Sequence, residues 1–308
     1  MSTVDRMSDP ARTEGRHGAS LLAPGLVIVE HLSRTRRLDT FEVWSEERAC
    51  SCVAKTLRPD RREDERAIEA LLAEGRLLTE LAHPHIVRGY ELRTEPHPIV
   101  VMETLDGETL AHLVDRQPDG LDSEDVAWLG LHLASALRYL HRFGVLHLDV
   151  KPSNVVAEAG RAKLIDLSLA RAPGRYRAGL GTWCNLSPEQ ARGDEVGPAA
   201  DVWGLGTVLF EATTGVPAFD DDDGSWTDDT GPSESPEAEA DGPSGTWNTD
   251  EQRAAGYPQL DRPAEPAPGP LAGAIEACLA FEPADRPSLD ELAAMLTPHA
   301  PEARPWDA

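Results

Sequence analysis

Lysine, cysteine and long apolar runs are all scarce in this 308-residue chain, and no glycine occurs between Gly25 and Gly75. Each shortage excludes something. Four cysteines (Cys50, Cys52, Cys184, Cys278) are too few for a disulfide framework, and the Cys50/Cys52 pair has no second pair to complete a zinc site. Reduced thiols are therefore expected. No segment approaches the ~20 apolar residues that a membrane span requires, and the N-terminus has no signal-peptide pattern. Positive charge is also short, 29 basic against 54 acidic residues, and the net charge of −25 argues against nucleic acid or an anionic membrane as partner. The acid is unevenly spread. Between Asp220 and Glu251 there are twelve acidic residues and no lysine or arginine. The surrounding stretch, dense in Asp, Glu, Gly, Pro and Ser, reads as a loop unable to bury enough surface to order itself, or as a surface for a basic partner. Trp226 and Trp247 within it fit the second reading better.

The rest of the chain is patterned. Residues 1–24 are polar and aperiodic and read as a flexible tail. Residues 26–32, 40–45 and 49–57 read as short strands. From 61 to 81, Ile68, Leu71, Leu72, Leu77, Leu78 and Leu81 recur at helical spacing, closing before His83-Pro84. Another strand is expected at 99–102. Beyond Asp106-Gly107 the pattern is mostly helical, over 110–115, 123–143, 199–215, 271–281 and 288–296. A strand-rich first third before a helix-rich remainder points to two lobes of different class.

The three lysines, Lys55, Lys151 and Lys163, stand out in a chain that otherwise uses arginine. Lys151 lies in His147-Leu148-Asp149-Val150-Lys151-Pro152-Ser153-Asn154, and Asp166 follows twelve residues later. This set suits phosphoryl transfer, which needs charge placed around phosphates and around an attacking hydroxyl. Asp149 fits as the carboxylate that meets the hydroxyl, and Lys151 as the cation that neutralises the moving group. Asn154 and Asp166 offer oxygen ligands suited to Mg²⁺. Lys55, in an apolar strand, needs a partner because an unpaired buried ammonium is costly.

Together these residues resemble the eukaryotic-like (Hanks-type) serine/threonine protein kinases of bacteria. Gly181-Thr182-Trp183-Cys184-Asn185-Leu186-Ser187-Pro188-Glu189 resembles the end of that family's activation loop, Asp201-Val202-Trp203-Gly204-Leu205-Gly206 the helix after it, and Asp285-Arg286-Pro287 its late motif. The resemblance implies an α+β protein-kinase-like fold, a β-rich N-lobe and a helical C-lobe with a nucleotide cleft between them, and ATP and Mg²⁺ as cofactors. It pairs Lys55 with Glu74 and Arg286 with Glu189. It places Met102 at the gatekeeper position and Glu103 to Leu105 at the hinge, with Val43, Val53 and Val156 around adenine. Lys151 and Thr182 point to serine/threonine substrates, with Thr182 a substrate-site residue. Small-molecule kinases of the aminoglycoside or choline type share the His-x-Asp-x-x-x-x-Asn pattern but lack the three later motifs. Many members of the family carry a transmembrane helix after the kinase; this chain stops instead, which implies a cytoplasmic form.

Three departures qualify the resemblance. The glycine-rich loop over the phosphates is replaced by residues 33–43, so backbone approach to phosphate should be impeded. Arg34, Arg36 and Arg37 are either phosphate ligands through their guanidinium forks or solvated loop residues. Leu148 stands where the family has the arginine that reads a phosphorylated activation loop, and residues 170–180 offer no hydroxyl except Tyr176. Activity without activation-loop phosphorylation is the expectation. Asp166-Leu167-Ser168 stands where Asp-Phe-Gly is usual, with the metal ligand kept. The expected organisation is a tail at 1–24, N-lobe and hinge at 25–105, C-lobe at 106–298 with an acidic insert near 219–252, and a tail at 299–308. The first functional reading is an ATP-dependent kinase of protein serine and threonine; the alternative is a pseudokinase that binds nucleotide or serves as a scaffold.

Overall fold

The computed structural model describes residues 20–219 and 266–300. The acidic run therefore lies outside the described residues, as do most of the N-terminal tail and the end of the C-terminal one. The described chain separates into two compact units. One runs up to Thr79 and takes in Gly89–Thr104; the other comprises Glu80–Arg88 and the chain from Leu105 onward.

The first unit is an antiparallel sheet of six strands in the order β1-β2-β3-β4-β6-β5. They are β1 (Leu21–Ala23), β2 (Leu26–Arg34), β3 (Leu38–Ser45), β4 (Cys50–Leu57), β5 (Gly89–Arg93) and β6 (Ile99–Glu103). Leu21–Ala23 belongs to the stretch read as a flexible tail, but Pro24-Gly25 turns it back onto β2, with Gly25 at φ +75°. One face of the sheet is apolar: Leu26, Val43, Cys52, Ala54, Ile99 and Val101 form a single buried cluster. Fully burying each large member contributes roughly 1.5–3 kcal/mol. Helix α1 (Glu65–Glu80) starts at Asp64, whose carboxylate accepts from the Ala67 amide at 3.1 Å. It lies close to the sheet at Gly75, where a Cβ would come within 2.7 Å of Leu92 and 2.8 Å of Val100. A glycine in mid-helix is unfavourable by roughly 1 kcal/mol; here it is what allows that approach.

The second unit is built on two long helices, α3 (Ser123–Arg142) and α5 (Pro198–Thr214). Shorter elements surround them: β7 (Glu108–Thr109), α2 (Leu110–Asp115), β8 (Val155–Glu158), β9 (Arg161–Leu164), β10 (Gly174–Arg175), α4 (Pro188–Arg192), β11 (Glu195–Val196), α6 (Ala272–Cys278) and α7 (Leu289–Leu296). Helix α5 is apolar on nearly every side and is buried accordingly, Trp203 completely. The linker 80–88 is bound to this unit by stacked rings. His85 stacks on His132 of α3 at 4.1 Å between centroids, and His83 on Tyr139 at 5.0 Å. Burial pushes the His132 imidazole down to about 4, and lowers His83 and His85 as well. Among the described residues no helix is long and apolar enough to cross a membrane, and the four cysteines are free thiols.

Candidate active site

The polar residues singled out in the sequence fall into two groups, one in each unit. In the first, Lys55 on β4 extends its ammonium to Glu74 on α1, Nζ to Oε1 2.8 Å. Glu74 is buried and Lys55 nearly so, with side chains 1% and 13% exposed. The close packing at Gly75 sets the helix at the depth that lets the neighbouring Glu74 reach the strand.

The β-sheet register decides which residues share a face with Lys55, because directly opposite residues point the same way. Thr40 is opposite Lys55 and Glu42 opposite Val53 on β3, while Val100 and Met102 are opposite them on β6. Val53 and Met102 therefore lie on the face of Lys55. Val43 does not. It pairs with Cys52, one residue out of phase, and is fully buried in the apolar cluster on the other side. The expectation that Val43 and Val53 line one site is corrected: Thr40 is the residue of β3 beside Lys55. Glu103 ends β6 opposite Cys52. Leu105 and Val156 belong to the second unit, where Val156 on β8 pairs with Thr109 and Lys163.

In the second unit Asp149 is held by neutral donors. Its Oδ1 accepts from the hydroxyl and the amide of Thr182, at 2.7 and 3.1 Å. Its Oδ2 accepts from the Asn154 side-chain amide at 2.9 Å. Lys151 Nζ stands 3.8 Å away, and both charged side chains retain 13% of their surface. Thr182, set apart in the sequence as a substrate-site residue, thus touches the candidate base directly. The loop is fixed from behind by Asp201 of α5, which accepts the amides of His147 and Leu148 at 2.9 and 2.8 Å and bonds His141 Nε2 at 2.7 Å.

Asn154 and Asp166 are drawn together by the β8–β9 hairpin and by the Ile165 amide, which donates to the Asn154 carbonyl at 3.1 Å. Asn154 commits its amide hydrogens to Asp149, which turns its amide oxygen toward a ligating role. Asp166 accepts from the Ser168 amide at 2.8 Å. The donor set is oxygen only and fits magnesium. Among the described residues no three His, Cys, Asp or Glu side chains form a metal cage of their own, so phosphate and water would supply the remaining ligands.

The glycine-free loop is tied to the protein itself. Arg34 makes a two-pronged pair with Asp39 at 2.6 and 3.0 Å, and His31 adds a third contact to that carboxylate at 2.9 Å. Arg34 and Asp39 are cross-strand partners of the β2–β3 hairpin, and Asp39 is buried. Arg37 pairs with Asp64 at 3.6 Å. Of the two roles open to Arg34, the structure adds to the solvated one: the side chain is half exposed and also a strut of the hairpin. The Arg34 guanidinium holds the Asp39 carboxyl below its usual range.

Glu189 and Arg286 form the ion pair implied by the resemblance, at 2.7 and 2.9 Å. Arg286 also covers the Trp203 ring at 4.9 Å. Leu148 takes a left-handed conformation, φ +63°, and is buried with Leu146, Leu180, Val196 and Ala200. Sequence reasoning missed three residues that shape the site. Asp201 of α5, itself bonded by His141 of α3, holds the loop, and Gln190 bridges it to the segment around Leu180. The first lay inside a motif already quoted, but no signal named its partners.

A β-rich unit with a buried lysine–glutamate pair, and a helical unit presenting Asp149, Lys151 and Asn154 on a pinned loop, define the α+β fold of the protein kinases. The chain matches the protein kinase domain over residues 39–296, and it belongs to that family. It is 37% identical over 227 residues to the serine/threonine-protein kinase PknB of Mycobacterium leprae, covering 69% of this chain and 35% of the relative. For PknB of Mycobacterium tuberculosis the figures are 33% over 230 residues, 70% and 35%. A probable serine/threonine-protein kinase of Streptomyces coelicolor is 32% identical over 228 residues, 69% and 32%. The chain thus spans about a third of the length of these curated relatives.

Proposed function

We propose that this chain is a serine/threonine protein kinase that transfers the γ-phosphoryl group of ATP to a protein hydroxyl. The observation that carries the reading is the setting of Asp149. Neutral donors fix its carboxylate in place, while a lysine stands near it without closing on it. A carboxylate so held can orient a serine or threonine hydroxyl and take its proton as the oxygen attacks the γ-phosphorus. The new O–P bond forms as the bond to the β-γ bridging oxygen breaks, and ADP leaves. Lys151 opposes the charge on the moving group. Lys55, held by Glu74, is assigned to the α- and β-phosphates, with Val53, Met102, the Glu103–Leu105 backbone and Val156 assigned to adenine. Asn154 and Asp166 would hold magnesium, which when bound with nucleotide neutralises phosphate charge.

Activation-loop phosphorylation is not required in this reading. Leu148 is embedded among apolar side chains of the loop and of α5, with Leu169 and Tyr176 packed against them, so the phosphate-reading arginine is replaced by burial. Four free thiols and the use of ATP suit the cytoplasm. The acidic stretch remains a candidate surface for a basic partner.

Phosphate transfer from labelled ATP with Mg²⁺, to the chain itself and to a generic basic protein, tests the reading. Label on the wild type and none on Lys55→Met or Asp149→Asn is the expected result. Nucleotide binding without transfer in the wild type would instead support a scaffold.

A further inference from the structure

The neutral amide of Gln190 bridges two backbone carbonyl groups from segments thirty-two residues apart in the chain. Its Nε2 donates to the Leu148 carbonyl at 3.0 Å and to the Leu180 carbonyl at 2.9 Å. Leu148 immediately precedes Asp149; Leu180 lies two residues before Thr182, which binds Asp149 through its hydroxyl and amide. The bridge therefore closes a ring: Gln190 to Leu148, Asp149 to Thr182, and back through Leu180. We propose that Gln190 is a positioning residue that holds the catalytic loop and the substrate-facing segment in register without any phosphate, a proposal that rests on the kinase reading above.

The surroundings are built for this bridge. Gln190 is buried at N3 of α4, and its Oε1 accepts from the amide and hydroxyl of Ser187, at 3.2 and 3.0 Å, in a capping box. That fixes which end of the amide carries the hydrogens. The Gln190 carbonyl accepts from the Gly179 amide at 3.0 Å, so the segment is gripped on both sides. Gly181 supplies the room. It lies at φ +134°, and a Cβ there would stand 3.0 Å from the Leu148 oxygen and 3.3 Å from Gln190 Nε2. Leu148 itself is held in the left-handed region that leucine disfavours, and its carbonyl orientation is set there by Gln190 and by Asp201 on its amide. A phosphate-reading arginine would be a tie made on demand; this amide is a tie made by folding.

The test compares wild type with Gln190→Met, which keeps length and loses the donor, and Gln190→Glu, which sets a carboxylate against two carbonyl oxygens. Turnover, KM for ATP and hydrogen exchange are read together. The expected result is a fall in kcat of roughly tenfold to a hundredfold with KM for ATP within about twofold of wild type. Exchange should quicken at the amides of residues 148–150 and 180–182, and stay slow along α5. Unchanged kcat in a folded variant overturns the proposal. So does a loss that only tracks the unfolded fraction, a matching shift in KM, or failure of both variants to fold. If the wild type transfers no phosphate, the kinase reading fails by itself; the local exchange pattern still decides whether Gln190 makes the tie.

Discussion

Asp39 in the first unit and Asp149 in the second are both aspartates gripped by two neighbouring side chains, yet they are held in opposite ways. Asp39 is closed on by a guanidinium fork and a histidine, and its charge is consumed within the hairpin. Asp149 is steadied by a threonine and an asparagine, with its nearest cation 3.8 Å off. Arginine in bidentate contact makes the strongest and most exclusive partner for a carboxylate. Neutral donors fix direction without discharging it. The difference separates a structural aspartate from the proposed reactive one more clearly than burial does.

The largest expected effect sharpens that contrast. Asp149→Asn should reduce transfer by about 10²–10⁴-fold, the range of a lost general base, with ATP binding retained in a calorimetric titration. Asp39→Asn should leave turnover per folded molecule unchanged and lower the unfolding midpoint; equal losses of turnover at both sites would break the comparison. Next comes a carboxylate that is closed on and also fully buried. Glu189→Ala strands Arg286, whose side chain is 0% exposed, and should cost about 3–5 kcal/mol in denaturant unfolding, as broken buried pairs do.

Arg34→Ala should have a smaller effect, and one that depends on pH. Asp39 is held below its usual range by Arg34, so the stability it contributes is present above the ordinary aspartate pKa and fades as pH falls through the lowered one. The gap in melting temperature between variant and wild type should be widest at neutral pH and narrow below about pH 4. ATP affinity should stay within about twofold, since the guanidinium is engaged inside the hairpin. The smallest effect belongs to the ring stack of the second unit. His132 is pushed down to about 4 by burial, so the unfolded chain binds the proton first, and stability should decline by a few degrees of melting temperature as pH drops from about 6.5 toward 4. His132→Phe should remove most of that slope.

The strands, the long helices and the residues around Asp149 were legible in the sequence because each rests on local pattern or fixed spacing. Gly89–Arg93 is hard to read as a strand because it is five residues long and opens on a glycine, with only Tyr90 and Leu92 to mark its alternation. Val43 was assigned to the wrong face because one residue of phase on β3 reverses every side chain, and only the pairing with β4 sets that phase. Arg34 was unreadable for a related reason: Asp39 becomes its partner only once the hairpin places the two opposite each other. Gln190 left no signal at all, since its partners are backbone carbonyls ten and forty-two residues away.

The stacking of Phe219 on Trp203, 5.3 Å between centroids and 6° from parallel, has a consequence for how this chain can vary. Phe219 is buried, and so is Ala267 where the described chain resumes. The fold thus grips both margins of the interval between them with its own core, like the jaws of a socket. A polar side chain put at Phe219 would therefore be felt first in the core around Trp203, at the centre of the second unit.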